Sequence, residues 1–215
     1  MGLGNPGTRY AATRHNAGQR VVEELARRLG LGAPASRYRG EYYEGRGPGG
    51  KVALLVPTTY MNDSGTSVGP AAGALRAKRP QVLVIHDEID IPFGDVRGKV
   101  GGGHGGHNGL RSLFQGLGGR DFPRIRVGVG RQTGDFKGDE AAWVLAAFNE
   151  DPADVDAMIR RAADMAEAAL ADGMDDAVAR FHAAPPGEHA RERAARSAAE
   201  RPDDADQETA PDAAG

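Results

Sequence analysis

Four of the six histidines stand in local sequence that invites chemistry. His15 lies in Arg14-His15-Asn16-Ala17-Gly18. His86 opens His86-Asp87-Glu88-Ile89-Asp90, directly after an apolar run. His104 and His107 lie in the glycine-rich stretch from Gly101 to Gly109, with Asn108 next to His107. A neutral imidazole with an ordinary pKa of ~6.5 can take a proton from water, and a carboxylate on its other nitrogen fixes the tautomer and stabilises the imidazolium. On that pattern His15 is a candidate base and Asp87 its partner in a metal-free hydrolase. Asn5, Asn62 and Asn108 are neutral amides that can hold a carbonyl or an amide without titrating. The same residues allow a second reading as a metal site. His86, Asp87, His104 and His107 are ligand types that suit zinc or manganese, although a triple-glycine lead-in is a loose scaffold for a metal. A dinucleotide site is set aside. Gly2-Leu3-Gly4-Asn5-Pro6-Gly7 matches G-x-G-x-x-G in form, but no strand precedes it and no helix starts inside it.

Either remaining reading needs three distant segments on one rim. In α/β sheets the ligand crevice lies beyond the carboxyl ends of the strands. Residues 81–86 read as a strand buried on both faces, so 86–90 leave its carboxyl end. Residues 95–100 read as another strand leading into the glycine stretch, with a helix over 107–116 and a strand over 125–129. Residues 18–30 show apolar positions at helical spacing, closed by Gly30. Residues 37–46 and 51–57 read as strands around the turn Gly47-Pro48-Gly49-Gly50. A weak helix over 64–77 is interrupted by Gly65, Gly69, Pro70 and Gly73. The strongest helix covers 152–172, capped by Asp151 and started by Pro152, and a short helix follows over 174–183. Strands alternating with helices predict a single three-layer α/β domain over 1–183. Residues 184–215 are rich in Ala, Arg, Glu, Asp and Pro and predict a disordered acidic tail. His182 and His189 read as incidental.

Composition narrows the partners. The chain has 215 residues and no cysteine, which excludes a disulfide scaffold, a thiol nucleophile and thiolate metal sites. The net charge is −3, but eight acids against four arginines fall in the tail, so the body is close to neutral. Any nucleic-acid contact therefore needs a local basic patch rather than a generally basic surface. Glycine, at 32 residues, is about twice its usual share of ~7%. The apolar runs are too short to span a bilayer and no leader pattern opens the chain, so a soluble cytoplasmic protein is expected.

The motifs together resemble one family. Gly4-Asn5-Pro6-Gly7 with Tyr10 to Gly18, Pro57-Thr58-Thr59-Tyr60-Met61-Asn62 with Ser64-Gly65, His86 to Asp90, and Gly101 to Gly109 are similar to bacterial peptidyl-tRNA hydrolase, in family order from Met1 to about Ala183. The resemblance implies a monomeric α/β fold around a mixed β-sheet flanked by helices. It implies hydrolysis of the ester between a nascent peptide and the terminal ribose of tRNA, with no metal and no cofactor. His15 matches the family's catalytic histidine and Asp87 its supporting carboxylate. Asn5 matches the asparagine that separates blocked from free amino ends. Tyr10, Tyr60, Asn62, His107 and Asn108 match substrate contacts, and Met61 lines the cleft. Lys99, Arg124 and Arg126 are the candidates for gripping tRNA phosphates, since such contacts position a nucleic acid without reading its sequence. The other reading on the same fold is a non-catalytic RNA-binding relative. The family carries a hydrophobic strand ahead of the Gly-Leu-Gly-Asn-Pro-Gly segment, whereas here Met1 abuts Gly2. The expectation is a true start upstream, with Met1 replacing an internal Val read as a GTG start. The tail is expected to play no part in tRNA binding.

Overall fold

Residues 1–132 and 136–183 are described by the computed structural model, so the expected acidic tail lies outside the described residues. The chain first forms a 3-10 turn over Arg14–Asn16 and helix α1 over Ala17–Arg28. Strands β1 (Ala35–Arg37), β2 (Gly40–Gly47) and β3 (Gly50–Pro57) follow as an antiparallel meander. The expectation of one strand over 37–46 is corrected. Arg37 pairs with Gly40, and Tyr38 and Arg39 between them both take positive φ (55° and 54°). That is a two-residue hairpin turn of the left-handed kind. It is usually written with Asn or Gly, which is why Tyr-Arg gave no turn signal.

Helix α2 (Gly65–Ala74) leads to strand β4 (Val84–Glu88), β5 (Val96–Val100), helix α3 (Asn108–Gly116) and β6 (Pro123–Gly128). Helices α4 (Glu140–Leu145), α5 (Pro152–Asp172) and α6 (Met174–Ala183) complete the described chain. Helix α4 is not among the elements expected from the sequence. The strand expected at 81–86 sits later because a 3-10 turn consumes Arg79–Gln81. The mixed α/β architecture is as expected, with its sheet in two parts. One sheet has the order β1-β2-β3 and the other β4-β6-β5, in which β6 runs parallel to β4 and antiparallel to β5. Met1–Leu3 lies between them. Gly2 N–H donates to Leu55 O on β3, while Ile85 N–H on β4 donates to Met1 O and Leu3 N–H to Ile85 O. The Met1 ammonium donates to Leu83 O at 2.7 Å, and burial lowers its pKa to about 5. An apolar cavity of about 450 Å³ adjoins this segment, with Met1, Leu25, Leu54 and Leu83 among its walls.

Two apolar layers flank the sheets. Ile85, Ile125 and Val127 pack against Val21, Val22 and Leu25 of α1 and Met158, Ala162 and Met165 of α5. Val84, Leu55 and Leu3 pack against Val68 of α2, Leu110 and Leu113 of α3 and Phe122. Strand alternation explains the split, since neighbouring residues of β4 point to opposite faces. Two glycines of α2, Gly65 and Gly69, are contact residues rather than interruptions. A Cβ on Gly65 would stand 2.2 Å from Ser112 O of α3, and one on Gly69 would stand 2.6 Å from Gly116 O. The helices approach backbone to backbone, which seats α3 low enough for its first turn to reach β4.

This packing predicts opposite outcomes for two alanine substitutions on α2. Gly65→Ala forces the helices apart and should cost about 1–3 kcal/mol of stability. Gly73→Ala meets nothing within 4 Å and should stabilise by roughly 0.5–1 kcal/mol through helix propensity. Urea unfolding of the two variants checks both signs.

Candidate active site

The carboxyl end of β4 delivers Asp87 into the protein, 3% exposed. Burying a carboxylate is costly unless donors surround it. Two imidazoles supply them. His15 Nδ1 lies 3.0 and 2.9 Å from the two Asp87 oxygens, and His107 Nε2 lies 3.0 Å from Oδ1. The tautomer of His107 is fixed from its other side. His107 is the N-cap of α3, and its Nδ1 accepts from Gly109 N–H at 3.1 Å. Nδ1 is therefore a lone pair and Nε2–H donates to Asp87. His15 donates through Nδ1–H, which leaves its Nε2 without a partner among the described residues. Burial alone would raise the Asp87 pKa, but the imidazoles of His15 and His107 outweigh it and hold the carboxyl well below the usual carboxylate range. For His15, burial works against the charged form, but the Asp87 carboxylate outweighs it and raises the pKa above 6.5.

The 3-10 turn that presents His15 is braced on both flanks. The guanidinium of buried Arg14 lies 3.6 Å from the ring centroid of Trp143 in α4, donates to Ala147 O at 2.7 Å and pairs with Glu150 at 3.0 Å. Asn16 forms a two-way link to Asn5, accepting from its backbone N–H and donating to its backbone carbonyl, both at 2.9 Å. Asn5 Oδ1 in turn accepts from Met61 N–H at 2.9 Å. Because Met61 N–H can only donate, the orientation of the Asn5 amide is forced, and its Nδ2 has no partner among the described residues.

These side chains line one cleft of about 450 Å³. Asn5, Tyr10, His15, Tyr60, Met61, Asn62, Asp87, His107 and Asn108 all border it. Met61 is buried, whereas Tyr60 is 59% exposed at the rim. The lining also includes Glu88, Ile89, Gly105 and Gly106 from the quoted motifs, and Glu140, Ala141, Val144 and Leu145 of α4, which sequence reasoning missed. A signal for α4 existed in Asp139, whose side chain caps the helix by accepting from Ala142 N–H at 2.8 Å. The helix was too short to show a period.

The metal set read from sequence is not assembled. His104 Nδ1 accepts from Gly106 N–H, and its ring faces Phe114. His86 is buried, with Nδ1–H donating to the carbonyl of Asp87 at 2.6 Å; burial, then the neighbouring His107, lower its pKa to about 3. The ligand-type group found among the described residues is His15, Asp87 and His107, whose facing atoms are already engaged with one another. The three basic candidates also separate. Lys99 and Arg126 are half-buried on β5 and β6. Register sets Lys99 opposite Arg124 and Arg97 opposite Arg126, so all four cations leave one face of the sheet. Arg97 was missed. Burial and the cations of Arg126 and Arg124 lower the Lys99 pKa. Arg124 is corrected: it is 1% exposed and donates to Gly103 O and Gly102 O, so it offers no surface to a phosphate.

Comparison with known proteins agrees with this geometry. The family model for peptidyl-tRNA hydrolase matches residues 1–190. Peptidyl-tRNA hydrolase of Syntrophotalea carbinolica is 45% identical over 183 residues, covering 85% of this chain and 95% of that protein. That of Mycobacterium tuberculosis is 45% identical over 185 residues, covering 85% and 96%. The crystal structure of peptidyl-tRNA hydrolase from Acinetobacter baumannii superposes with a TM-score of 0.74 at 37% identity, covering 86% of this chain and 94% of that one. Motifs, fold and relatives agree: the chain belongs to the peptidyl-tRNA hydrolase family, enzymes that hydrolyse the ester bond of peptidyl-tRNA.

Proposed function

We propose that this chain cleaves peptidyl-tRNA with His15 as general base and Asp87 as its support, without metal or cofactor. The observation that carries the reading is His15 Nδ1 at 2.9 Å from the Asp87 carboxylate, in a residue that lines the cleft; with the Nδ1 proton spent on that acceptor, neutral His15 keeps its lone pair on Nε2. Nε2 takes a proton from water as its oxygen attacks the ester carbonyl. The imidazolium that forms is stabilised by Asp87. It returns the proton to the ribose oxygen as the carbonyl–oxygen bond breaks, which leaves a free peptide carboxyl and a free tRNA end. Asn62 and Asn108 on the cleft wall are donors for the carbonyl oxygen as it gains charge. Asn5 Nδ2–H donates to the acyl oxygen that a blocked amino end carries; a free ammonium has no acceptor to offer it. Lys99 and Arg126, joined by Arg97, are the phosphate contacts. The reading includes action as a monomer in the cytoplasm, as the family resemblance implies; none of the described helices is long and apolar enough to cross a membrane.

The founding test is hydrolysis of an N-acetylated aminoacyl-tRNA beside its unblocked counterpart, each with and without EDTA. Cleavage of the blocked substrate alone, unaffected by EDTA, is the expected result. Loss with EDTA would move the reading to a metal hydrolase, and no cleavage by folded protein would favour an RNA-binding relative.

Three further outcomes follow from the geometry of His15 and Asp87. His15→Ala should lose roughly 100- to 10,000-fold in turnover while keeping its affinity for tRNA, checked by filter binding. The pH profile of kcat/KM should fall on the acid side with an inflection above 6.5, because only neutral His15 can accept a proton and Asp87 favours its charged form. Asp87→Asn removes that stabilisation while burial of His15 remains. Its acid limb should therefore move to lower pH and its rate should drop. An unmoved limb would detach Asp87 from His15.

A further inference from the structure

Arg124 poses a problem of charge. Its guanidinium is almost fully buried, and no carboxylate lies within ion-pair distance among the described residues. A buried cation is normally paired, because leaving water costs several kcal/mol. Here two carbonyls and two rings take that place. Nη1 donates to Gly103 O and Nη2 to Gly102 O, both at 2.7 Å, while the rings of Phe114 and Phe122 lie 5.2 and 5.1 Å from Cζ. The two carbonyls belong to the glycine arm that joins β5 to α3. The arm has neither helix nor strand of its own, and a Cβ on Gly103, Gly105 or Gly106 would meet nothing within 4 Å. Its backbone is open at those three positions, and its ring contact is His104 against Phe114 of α3. Between Gly101 N–H on Phe122 O and the bond of His107 to Asp87 at its far end, its tie to the sheet among the described residues is the fork of Arg124. Four residues beyond Gly103, the arm delivers His107 onto Asp87 and Asn108 to the cleft.

We propose that Arg124 is a positioning residue: its fork on the Gly102 and Gly103 carbonyls sets the placement of His107 and Asn108, and it makes no contact with tRNA. The proposal rests on the reading of His15, Asp87 and His107 as the reacting centre. A planar fork suits two carbonyls held side by side, whereas a lysine offers one nitrogen on a flexible stem in place of the two fixed ones. Small misplacements of a catalytic surround, of about 1 Å, can cost on the order of 100-fold in rate.

The test separates positioning from phosphate contact through salt. Hydrolysis of N-acetyl-aminoacyl-tRNA is measured across a salt series for the wild type, Arg124→Lys and Arg126→Ala. Folded Arg124→Lys should lose roughly 10- to 100-fold in kcat, with the wild-type dependence of log KM on log salt. Arg126→Ala should instead raise KM and flatten that slope by about one. An Arg124→Lys variant that flattens the slope as Arg126→Ala does, or one that keeps its kcat, overturns the proposal. Should Arg124→Lys fail to fold, nitrogen-15 spectra of arginine side chains in the wild type decide. Arg124 should show separate, slowly exchanging Nη protons that do not move when deacylated tRNA is added, while Arg126 shifts. Equal shifts at both overturn it. A wild type that binds tRNA but does not cleave it counts against the proposed function, and the spectra still read the clamp on its own.

Discussion

A carboxylate buried at the end of β4 is the constraint around which the site is arranged. Asp87 can stay ionised only with donors on its oxygens, and the chain supplies them from two remote places. One is the 3-10 turn before α1, and the other is the cap of α3. Each donor nitrogen is committed by what its ring does elsewhere. His107 must present Nε2–H because its Nδ1 closes the first turn of α3. His15 must present Nδ1–H because Asp87 accepts only. The electrostatic need to satisfy one acid thus fixes two tautomers, and one of them leaves a basic nitrogen in the cleft. The same contacts explain why α2 and α3 pack through glycine: a larger separation would lift the cap of α3 away from β4.

Sequence reading picked out the residues that line the cleft better than it picked out the scaffold, for physical reasons. The catalytic candidates are polar residues in runs with no packing explanation, so His15, Asp87, Asn5 and Asn108 stand out by type alone. Their meeting in one cleft also follows from strand ends lying at one rim. Long helices with a full apolar period, such as α5, were legible because burial writes its period into the residues. The Tyr38-Arg39 turn was not, since its positive φ values are imposed by the hairpin and not chosen by residue type. Helix α4 escaped because six residues hold less than two turns. Arg124 was misplaced for a different reason. Charge suggests a surface, and nothing in the local sequence says that two carbonyls from a distant loop will meet it.

Strand alternation then explains how one small sheet keeps an acid and several cations apart. His86 pairs with Arg126 and Val84 with Arg124, so these share a face, while Asp87 pairs with Val127 on the other. If Asp87 shared the face of Lys99 and Arg126, ion pairs would compete with the two imidazoles for its oxygens. His86 occupies the boundary. Its Nδ1–H is spent on the carbonyl of Asp87, and burial keeps the ring neutral. Its edge packs against the ring of His107 at 5.0 Å. A cationic side chain at that position would repel the neighbouring arginines, and an anionic one would pair with them. An apolar one would leave the Asp87 carbonyl without its donor at 2.6 Å. A neutral histidine meets both requirements, so the residue that first suggested a metal ligand is accounted for by its place between the His15–Asp87–His107 cluster and the basic face.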